Sequence, residues 1–360
     1  MSDLPQPSAA ARRTKDYHPP LGCRDGVRLD FNENTFACSP KVLEVLGSIS
    51  RSSLTKYPER EPVEKLVATH VGLDASQVLL TNGVDEAIHV LCQAYLDAGD
   101  EFLLPVPTYS MYEVYGSATE AKIVAVQAGE DFSFPLEALL QKVTPSTKLI
   151  AIANPNSPTG CVVARETILD ILEKAPHAIV LVDEAYYHFH GETVLDLIGR
   201  VPNLIVTRTF SKAYGLAGLR LGMLVASTEQ MRWLRRMISP YSVNGLALAC
   251  LPAAIEDGKY LQWYVDEVLR EREVFAATLR QLAVPYWPSK ANFILVKIGR
   301  RHKEFVTAMR QRNVLVRDRS SDPGCDGCVR ITIGTQEHTA RGVQALRESL
   351  VEIGWSPNEG

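Results

Sequence analysis

Lys212 is the residue of this 360-residue chain whose position most favours covalent chemistry. It follows the segment from Leu204 to Phe210, which begins with a short strand-like run over 204–207, so its amine is expected near the end of a buried strand. Partial removal from water lowers the pKa of a lysine and makes it a usable nucleophile. The next ten residues contain three glycines, which let backbone approach a ligand closely, and Arg220, whose guanidinium suits a phosphate. The segment predicts a lysine nucleophile beside an anion site.

A second candidate, Asp183, comes directly after the apolar run from Ala178 to Val182. Burying a carboxylate at the end of a strand is costly unless it meets a positive charge. One interpretation is that the side chain of Asp183 caps the start of a helix. The other interpretation is that Asp183 faces the protonated nitrogen of a bound pyridine ring.

Two further polar segments also follow predicted strands. The segment 156–160, Asn-Ser-Pro-Thr-Gly, is either a simple Pro-Gly turn or a site at which Asn156 donates a hydrogen bond to a ring oxygen. The segment 81–85, Thr-Asn-Gly-Val-Asp, joins a strand to the start of a helix. Free backbone N–H groups at a helix start form an anion site.

The elements that position these residues alternate along the chain. Short runs that are apolar on both faces predict a mainly parallel sheet covered by helices such as 166–174. Ligands bind such sheets beyond the carboxyl ends of the strands, where the candidate residues lie. The runs are 78–81, 102–104, 149–153, 178–182, 204–207 and 221–225, and a helix is predicted over 85–96.

The pattern changes after about Ser239 and indicates a smaller α+β domain. The predicted elements there are a long helix over 261–282, a strand pair at 293–296 and 329–333, and a last helix over 339–350. The predicted organisation is a flexible N-terminal arm (1–27), a segment packing with the small domain (28–45), a large domain (46–245) and a small domain (246–356).

Composition narrows the class of protein. Hydrophobic residues make up 46%, charged residues 22%, and the net charge is −4, which disfavours a nucleic-acid partner and favours small molecules. The N-terminus lacks the apolar core of a signal peptide, and no run is long enough to span a membrane, so a cytoplasmic protein is expected. The seven cysteines are scattered, which fits reduced thiols. Cys325 and Cys328 lack the second pair of a zinc site and are interpreted as a glycine turn before a strand, so no metal is expected.

The order of these motifs resembles the fold-type I pyridoxal 5′-phosphate (PLP) aminotransferases, the aspartate aminotransferase superfamily, from Arg28 to the last helix. Within it, the chain is most similar to the histidinol-phosphate aminotransferase family. The resemblance implies a large domain with a mainly parallel seven-stranded sheet between helices, and a smaller α+β domain. The segments that carry the family resemblance are 29–34 (Leu-Asp-Phe-Asn-Glu-Asn), 56–59 (Lys-Tyr-Pro-Glu), 107–112 (Pro-Thr-Tyr-Ser-Met-Tyr), 314–318 (Val-Leu-Val-Arg-Asp) and 329–334 (Val-Arg-Ile-Thr-Ile-Gly).

The resemblance also implies roles at the cofactor ring. Lys212 would hold PLP as a Schiff base and, once displaced by substrate, would move the proton during amino transfer. Asp183 would keep the pyridine nitrogen protonated. Tyr186 and Asn156 would donate to the 3′ oxygen of the ring, and Tyr109 would stack on the ring.

The same resemblance implies how the phosphate of PLP is held. Ser211, Arg220 and the backbone around Val84 and Asp85 would bind it within the subunit. Tyr57 would reach it from the neighbouring subunit, which implies a homodimer with shared sites.

The implied reaction is amino transfer between L-histidinol phosphate and 2-oxoglutarate, giving 3-(imidazol-4-yl)-2-oxopropyl phosphate and L-glutamate in histidine biosynthesis. Asn32, Arg317 and Arg330 are the implied substrate residues. Arg330 would take the α-carboxylate of the amino-acid partner, and Arg317 would bind the phosphate of histidinol phosphate. Arg317 could instead be a surface arginine paired with Asp318 or Glu304.

The sequence alone leaves three other functions open. An aromatic amino acid aminotransferase and a threonine-phosphate decarboxylase would share the cofactor residues. A PLP-binding regulator is disfavoured, because only about 30 residues precede the similar segment and the chain is acidic.

Overall fold

The computed structural model describes residues 6–14, 22 and 24–357. Residues 1–5, 15–21 and 23 of the predicted N-terminal arm, and residues 358–360, lie outside the described residues. Part of the arm, Ala9–Arg13, forms a short helix, and Arg13 pairs with Glu120 at 3.1 Å. The flexibility predicted for the arm stays a prediction.

Helices and strands alternate along most of the described chain. The helices are α1 Ala9–Arg13, α2 Pro40–Gly47, α3 Glu61–Val71, α4 Gly83–Tyr95, α5 Met111–Ala118, α6 Leu136–Gln141, α7 Arg165–Lys174, α8 Thr228–Met237, α9 Gly245–Glu256, α10 Gly258–Gln281, α11 His302–Gln311 and α12 Gln336–Glu352. The strands are β1 Val27–Arg28, β2 Val78–Asn82, β3 Glu101–Val106, β4 Lys122–Gln127, β5 Thr147–Ala153, β6 Ile179–Asp183, β7 Leu204–Thr209, β8 Leu221–Val225, β9 Tyr286–Trp287, β10 Phe293–Lys297, β11 Val314–Leu315, β12 Arg317–Asp318 and β13 Cys328–Thr332.

Local sequence signals explain where several helices begin and end. The hydroxyl of Ser227 accepts a hydrogen bond from the backbone N–H of Gln230 and caps α8. The side chain of Asn244 accepts from the N–H of Ala247 in the same way at the start of α9. Helix α3 ends at Gly72, whose left-handed φ of 75° is a conformation that glycine adopts without steric cost.

The seven-stranded sheet has the order β2-β8-β7-β6-β5-β3-β4. All neighbouring pairs from β7 to β4 are parallel, whereas β8 is antiparallel to both β7 and β2. The predicted mainly parallel seven-stranded sheet is therefore confirmed. The edge strand β4 is an addition to the strands predicted from the sequence.

Successive residues of the buried strands face two different helix layers. Along β5, Ile150 and Ile152 belong to one apolar cluster, while Leu149 and Ala151 belong to another on the opposite face. This explains why the segment 149–153 of β5 is apolar at every position and lacks a two-residue alternation.

The C-terminal part forms a four-stranded antiparallel sheet in the order β12-β13-β10-β9. The predicted pairing of 293–296 with 329–333 is confirmed, because β10 and β13 are adjacent and antiparallel. Strand β1 pairs with β11, and its Val27 joins the apolar core beside this sheet.

Helices α2 and α9 pack on the large sheet. Val42 of α2 and Leu248 of α9 belong to the same apolar cluster as the strand residue Ile150. The predicted domain limits at 45 and 245 stay predictions. Within the described ranges, no helix is both long and apolar enough to cross a membrane.

Candidate active site

Lys212 lies at the carboxyl edge of the large sheet, on the loop from β7 to β8, and lines a cavity of about 130 Å³. Its Nζ donates a 2.8 Å hydrogen bond to the carbonyl oxygen of Phe31. Removal from water lowers the pKa of the amine, and the positive charge of Arg330 lowers it further. The structure thus shows the desolvated lysine that the sequence predicts.

Asp183 ends β6, is buried, and lines the same cavity. Its Oδ2 accepts a 2.7 Å hydrogen bond from the hydroxyl of Tyr112, and its Oδ1 accepts a 3.1 Å bond from the N–H of Ala185. Burial raises the pKa of Asp183 to about 6, although these hydrogen bonds act in the opposite direction. Such a carboxylate favours a positively charged partner in the cavity.

One end of the cavity gathers groups suited to an anion. Val84 and Asp85 are in the first turn of α4, where backbone N–H groups have no partner within the helix. Arg220 Nη2 lies 2.9 Å from Asp85 Oδ2, and Tyr109 donates to Asp85 Oδ1 at 2.7 Å. Ser211 also lines this cavity. These residues can bind a phosphate through charge and through N–H donors together.

Gly83 shows how closely this end is packed. Its φ is 75°, and a Cβ built there would lie 2.6 Å from Arg220 Nη2. Any side chain at this position would therefore displace the guanidinium group from the start of α4. The glycine is required both by the backbone conformation and by the position of Arg220.

Tyr186 lines the cavity, and Asn32 lies directly behind it. Asn32 Nδ2 donates to the Tyr186 hydroxyl at 2.8 Å, while Asn32 Oδ1 accepts from Thr332 Oγ1 at 3.1 Å. Since the tyrosine oxygen accepts this bond, its own hydrogen stays available for an acceptor in the cavity.

Asn156 differs from the sequence expectation in one respect. Its amide nitrogen donates to the Pro107 carbonyl oxygen and to Thr159 Oγ1, both at 2.9 Å. Its Oδ1 accepts a 3.0 Å bond from Thr108. Both amide hydrogens are thus engaged, and Asn156 could donate to a ring oxygen only by giving up one of these bonds.

Arg330 is buried beside the cavity. Its Nη1 donates to Ser157 Oγ and its Nη2 to the Asp30 carbonyl oxygen, both at 2.9 Å, and Ser157 lines the cavity. Burial lowers the pKa of Arg330 to about 10. Arg317 lies directly across from Arg330 in the β12–β13 pairing.

The carboxylates considered as structural partners of Arg317 are bonded to other residues. Glu304 pairs with Arg301, and Asp318 accepts a 3.1 Å hydrogen bond from His302. The guanidinium carbon of Arg317 lies 5.3 Å from the centroid of the Phe31 ring, and that of Arg24 lies 4.2 Å from it. Phe31 thus contacts Arg317 through its ring and Lys212 through its carbonyl oxygen.

Tyr57 is the predicted residue that lies apart from the others. Its side chain is 78% exposed and stacks on Tyr241, with ring centroids 4.4 Å apart. It does not line the cavity of its own chain.

Several residues that complete the candidate site have no role predicted from the sequence. These are Tyr112, which bonds Asp183, Phe31, whose carbonyl oxygen bonds Lys212, Thr108, which bonds Asn156, and Ser157, which bonds Arg330. Tyr112 and Ser157 lie inside motifs that the resemblance quotes, so those motifs were the available signal. Phe31 also lies in such a motif, segment 29–34, but its residue type does not indicate that its backbone carbonyl oxygen bonds Lys212.

The residues around the cavity fit PLP. A desolvated lysine can form a covalent link to an aldehyde. A buried carboxylate with a raised pKa suits a protonated ring nitrogen, and the set of donors around the start of α4 suits a phosphate. Among the described residues, no cluster of three or more His, Cys, Asp and Glu side chains could hold a metal ion.

Comparisons with known proteins agree with this geometry. The model of the family described as aminotransferase class I and II matches residues 24–346. A histidinol-phosphate aminotransferase from Thermoanaerobacter pseudethanolicus is 35% identical over 330 residues, covering 90% of this chain and 93% of its own.

Two solved structures are similar over nearly the whole chain. Histidinol-phosphate aminotransferase from Sinorhizobium meliloti, solved in complex with pyridoxal-5′-phosphate, has a TM-score of 0.88 at 22% identity and covers 98% of this chain and all of its own. L-threonine-O-3-phosphate decarboxylase from Porphyromonas gingivalis has a TM-score of 0.80 at 25% identity, and the match covers 90% of this chain and 99% of the decarboxylase chain.

Proposed function

This chain belongs to the family of class I and II aminotransferases, and from that premise we propose that it transfers an amino group between L-histidinol phosphate and 2-oxoglutarate with PLP as its cofactor. The observation that carries the proposal is that Arg330 bonds Ser157 of the Lys212 cavity, while Arg317 lies directly across from Arg330 in the β12–β13 pairing. Histidinol phosphate carries a phosphate, and glutamate carries two carboxylates. In a ping-pong reaction the two substrates occupy one pocket in turn, and two guanidinium groups can bind the anionic groups of each.

When bound, PLP supplies an electron sink, because its protonated ring accepts the electron pair left when the Cα–H bond of the substrate breaks. Asp183 would hold the positive charge at the ring nitrogen, with Tyr112 fixing the orientation of the carboxylate. Tyr186 would donate its hydroxyl hydrogen to the ring oxygen, and Tyr109 would lie against the ring. Asn156 would contribute there only after exchanging one of its present hydrogen bonds.

Lys212 would hold the cofactor covalently in the resting enzyme. Once substrate has replaced it, its amine would accept the proton from Cα of the substrate and return a proton to complete the transfer. Removal from water lowers the pKa of this lysine and so raises the fraction of neutral amine, which is the form that accepts a proton.

The phosphate of PLP would be bound by Ser211, Arg220 and the backbone N–H groups of Val84 and Asp85. On the substrate side, Arg330 would take the α-carboxylate of glutamate and Arg317 the phosphate of histidinol phosphate. Asn32 would support this side through its bond to Tyr186.

We also propose that the enzyme is a homodimer in which Tyr57 reaches the phosphate in the neighbouring subunit. The exposed Tyr57–Tyr241 pair and the exposed Leu54 form an apolar surface of the kind that marks protein interfaces. The cysteines among the described residues are free thiols, which supports a reducing compartment such as the cytoplasm.

A single-turnover comparison of amino donors tests the proposed substrate. The PLP-loaded enzyme is mixed separately with histidinol phosphate, phenylalanine and threonine phosphate, and the absorbance change of the bound cofactor is followed. We expect the largest second-order rate constant for histidinol phosphate. A preference for phenylalanine would assign an aromatic aminotransferase.

Threonine phosphate remains in this test because of the structural likeness to the Porphyromonas gingivalis decarboxylase. Release of carbon dioxide from threonine phosphate at a rate matching its absorbance change would assign a decarboxylase. No carbon dioxide and slow turnover of this compound are expected.

A further inference from the structure

A second cavity, of about 460 Å³, lies outside the site described above. It is bounded by the end of α3, the segment 187–196, the end of β7 and the start of α10. A volume of this size is in the range of pockets that hold small organic molecules. Neither the proposed amino transfer nor the binding of PLP uses it.

Arg208 lines the cavity and forms a buried ion pair with Glu184 behind it. Arg208 Nε donates to Glu184 Oε2 at 2.8 Å, and Nη2 donates to Thr193 Oγ1 at 2.8 Å. The ring of Tyr187 covers the guanidinium carbon at 3.6 Å. Burying two charges costs free energy that their attraction does not always offset, so the pair is not explained by its contribution to stability alone.

One nitrogen of the Arg208 guanidinium, Nη1, makes none of these contacts. Glu184 and Thr193 take up Nε and Nη2, and no described residue accepts a hydrogen bond from Nη1. Arg208 is only 8% exposed, and it lines the cavity. An acceptor oxygen bound in the cavity would complete the hydrogen bonding of the guanidinium.

The remaining walls are aromatic and aliphatic. Tyr187, His188, Phe210 and Tyr214 supply rings, and the His188 and Tyr214 rings are in edge contact at 5.2 Å. Val71 and Leu195 are among the aliphatic residues. Burial lowers the pKa of His188 to about 3, so its neutral ring keeps one N–H donor. A ligand with a flat apolar ring and an acidic group would fit this cavity, because the ring can pack on these side chains and the acidic group can bind Arg208.

The cavity is linked to the Lys212 site through adjacent strand residues. Asp183 lines the Lys212 cavity, whereas Glu184, the next residue, bonds Arg208 on the other side. Thr209 lines both cavities, and its hydroxyl accepts a 3.0 Å hydrogen bond from the N–H of Ser211. An occupant of the second cavity would therefore contact the strand end that carries the Lys212 loop.

We propose that this second cavity binds a small aromatic carboxylate, with the carboxylate on Arg208 Nη1 and the ring among Tyr187, Phe210 and Tyr214. The site is separate from the one that binds the proposed substrates, and its existence does not depend on the proposed amino transfer.

Calorimetric titration of the PLP-loaded enzyme with phenylacetate tests the proposal, and phenylacetamide serves as the neutral probe of the same shape. Val71→Trp fills the cavity from α3, and Leu66→Trp is the matched control, because it adds the same ring to the same helix at a residue that does not line the cavity. We expect saturable binding of one phenylacetate per chain, at least about tenfold weaker in Val71→Trp and unchanged in Leu66→Trp. Phenylacetamide should bind at least about tenfold weaker than phenylacetate.

A second variant tests the proposal independently, in case Val71→Trp does not fold. The double change Glu184→Gln with Arg208→Gln removes both charges together, which leaves neither one buried alone. It should lose the preference for phenylacetate over phenylacetamide. The proposal is overturned if the wild type shows no saturable binding of phenylacetate, or if both the cavity-filling and the double variant bind it as the wild type does.

Discussion

Tyr112 donates a 2.7 Å hydrogen bond to Asp183 Oδ2, and both side chains are buried. Burial raises the pKa of the Tyr112 hydroxyl, and the neighbouring carboxylate raises it further. The phenol therefore keeps its proton and remains a donor at every physiological pH. Helix α5 in this way fixes the orientation of a carboxylate that belongs to β6.

Replacing Asp183 by Asn tests its proposed role at the ring nitrogen. The amide keeps the shape and can still accept from Tyr112, but it has no negative charge. We expect kcat to fall about 100-fold or more, equivalent to about 3 kcal/mol of barrier. Tyr112→Phe, which keeps the carboxylate, should cost much less. Near-normal turnover of the Asn variant would contradict the role.

The raised pKa of Asp183 also predicts how stability depends on pH. Without PLP, burial raises its pKa from 3.8 to about 6. Between these pH values the folded state binds more protons than the unfolded state, so the free energy of unfolding falls as pH rises. From pH 4 to pH 7 the cofactor-free wild type should lose up to about 3 kcal/mol relative to Asp183→Asn. Urea denaturation of both proteins measures this, and parallel pH profiles would disprove it.

Lys212 should be the site of covalent attachment. Borohydride reduction of the PLP-loaded enzyme should fix the cofactor to one peptide, and mass spectrometry should place it on Lys212. Lys212→Ala should take up no label, whereas Lys290→Ala, which changes an exposed lysine outside the cavity, should be labelled normally. Labelling of another lysine in Lys212→Ala would show that the assignment is wrong.

Mixing an impaired variant with an inactive one tests whether Tyr57 acts in the site of the partner subunit. Tyr57→Phe should be impaired, and Lys212→Ala should be inactive. In a mixed dimer one site would carry both defects and the other neither, so part of the activity should return. The control is each variant refolded alone. If Tyr57→Phe is impaired but mixing restores nothing, Tyr57 acts in its own subunit.

Arg317→Ala tests the recognition of the substrate phosphate. Losing a charge-assisted bond costs roughly 1.5–3 kcal/mol, so kcat/KM for histidinol phosphate should fall about ten- to a hundredfold. Phenylalanine carries no phosphate, and its kcat/KM should change much less. Because both donors are measured with one variant, general damage to the fold cancels. Equal losses with both donors would make Arg317 structural.

The strands and the main site residues were predictable because the physical signals are local. A buried parallel strand is apolar on both faces, and Asp183 and Lys212 come within a few residues of the strand ends. The order of the motifs then made the family recognisable. The edge strand β4 gave a weaker signal, since polar Lys122 and Gln127 bound it and parts of it are exposed.

Contacts between distant segments could not be predicted in the same way. The bond between Lys212 and the Phe31 carbonyl joins residues 181 positions apart, and any residue type has such a carbonyl. The amide of Asn156 was expected to face a ligand, yet neighbouring turn residues compete for its hydrogens. Only the three-dimensional packing decides between such partners.

The antiparallel direction of β8 has a consequence for how the cofactor would leave. Because β8 starts at the edge where β7 ends, Lys212 and Arg220 both lie on the single connection 210–220. A local opening of that connection would move both proposed anchors, Lys212 and Arg220, out of the site together, and water could then hydrolyse the covalent link to Lys212. Amide hydrogen exchange in this segment should therefore slow when the cofactor is loaded, and the rate of cofactor loss should track the opening rate of this one loop.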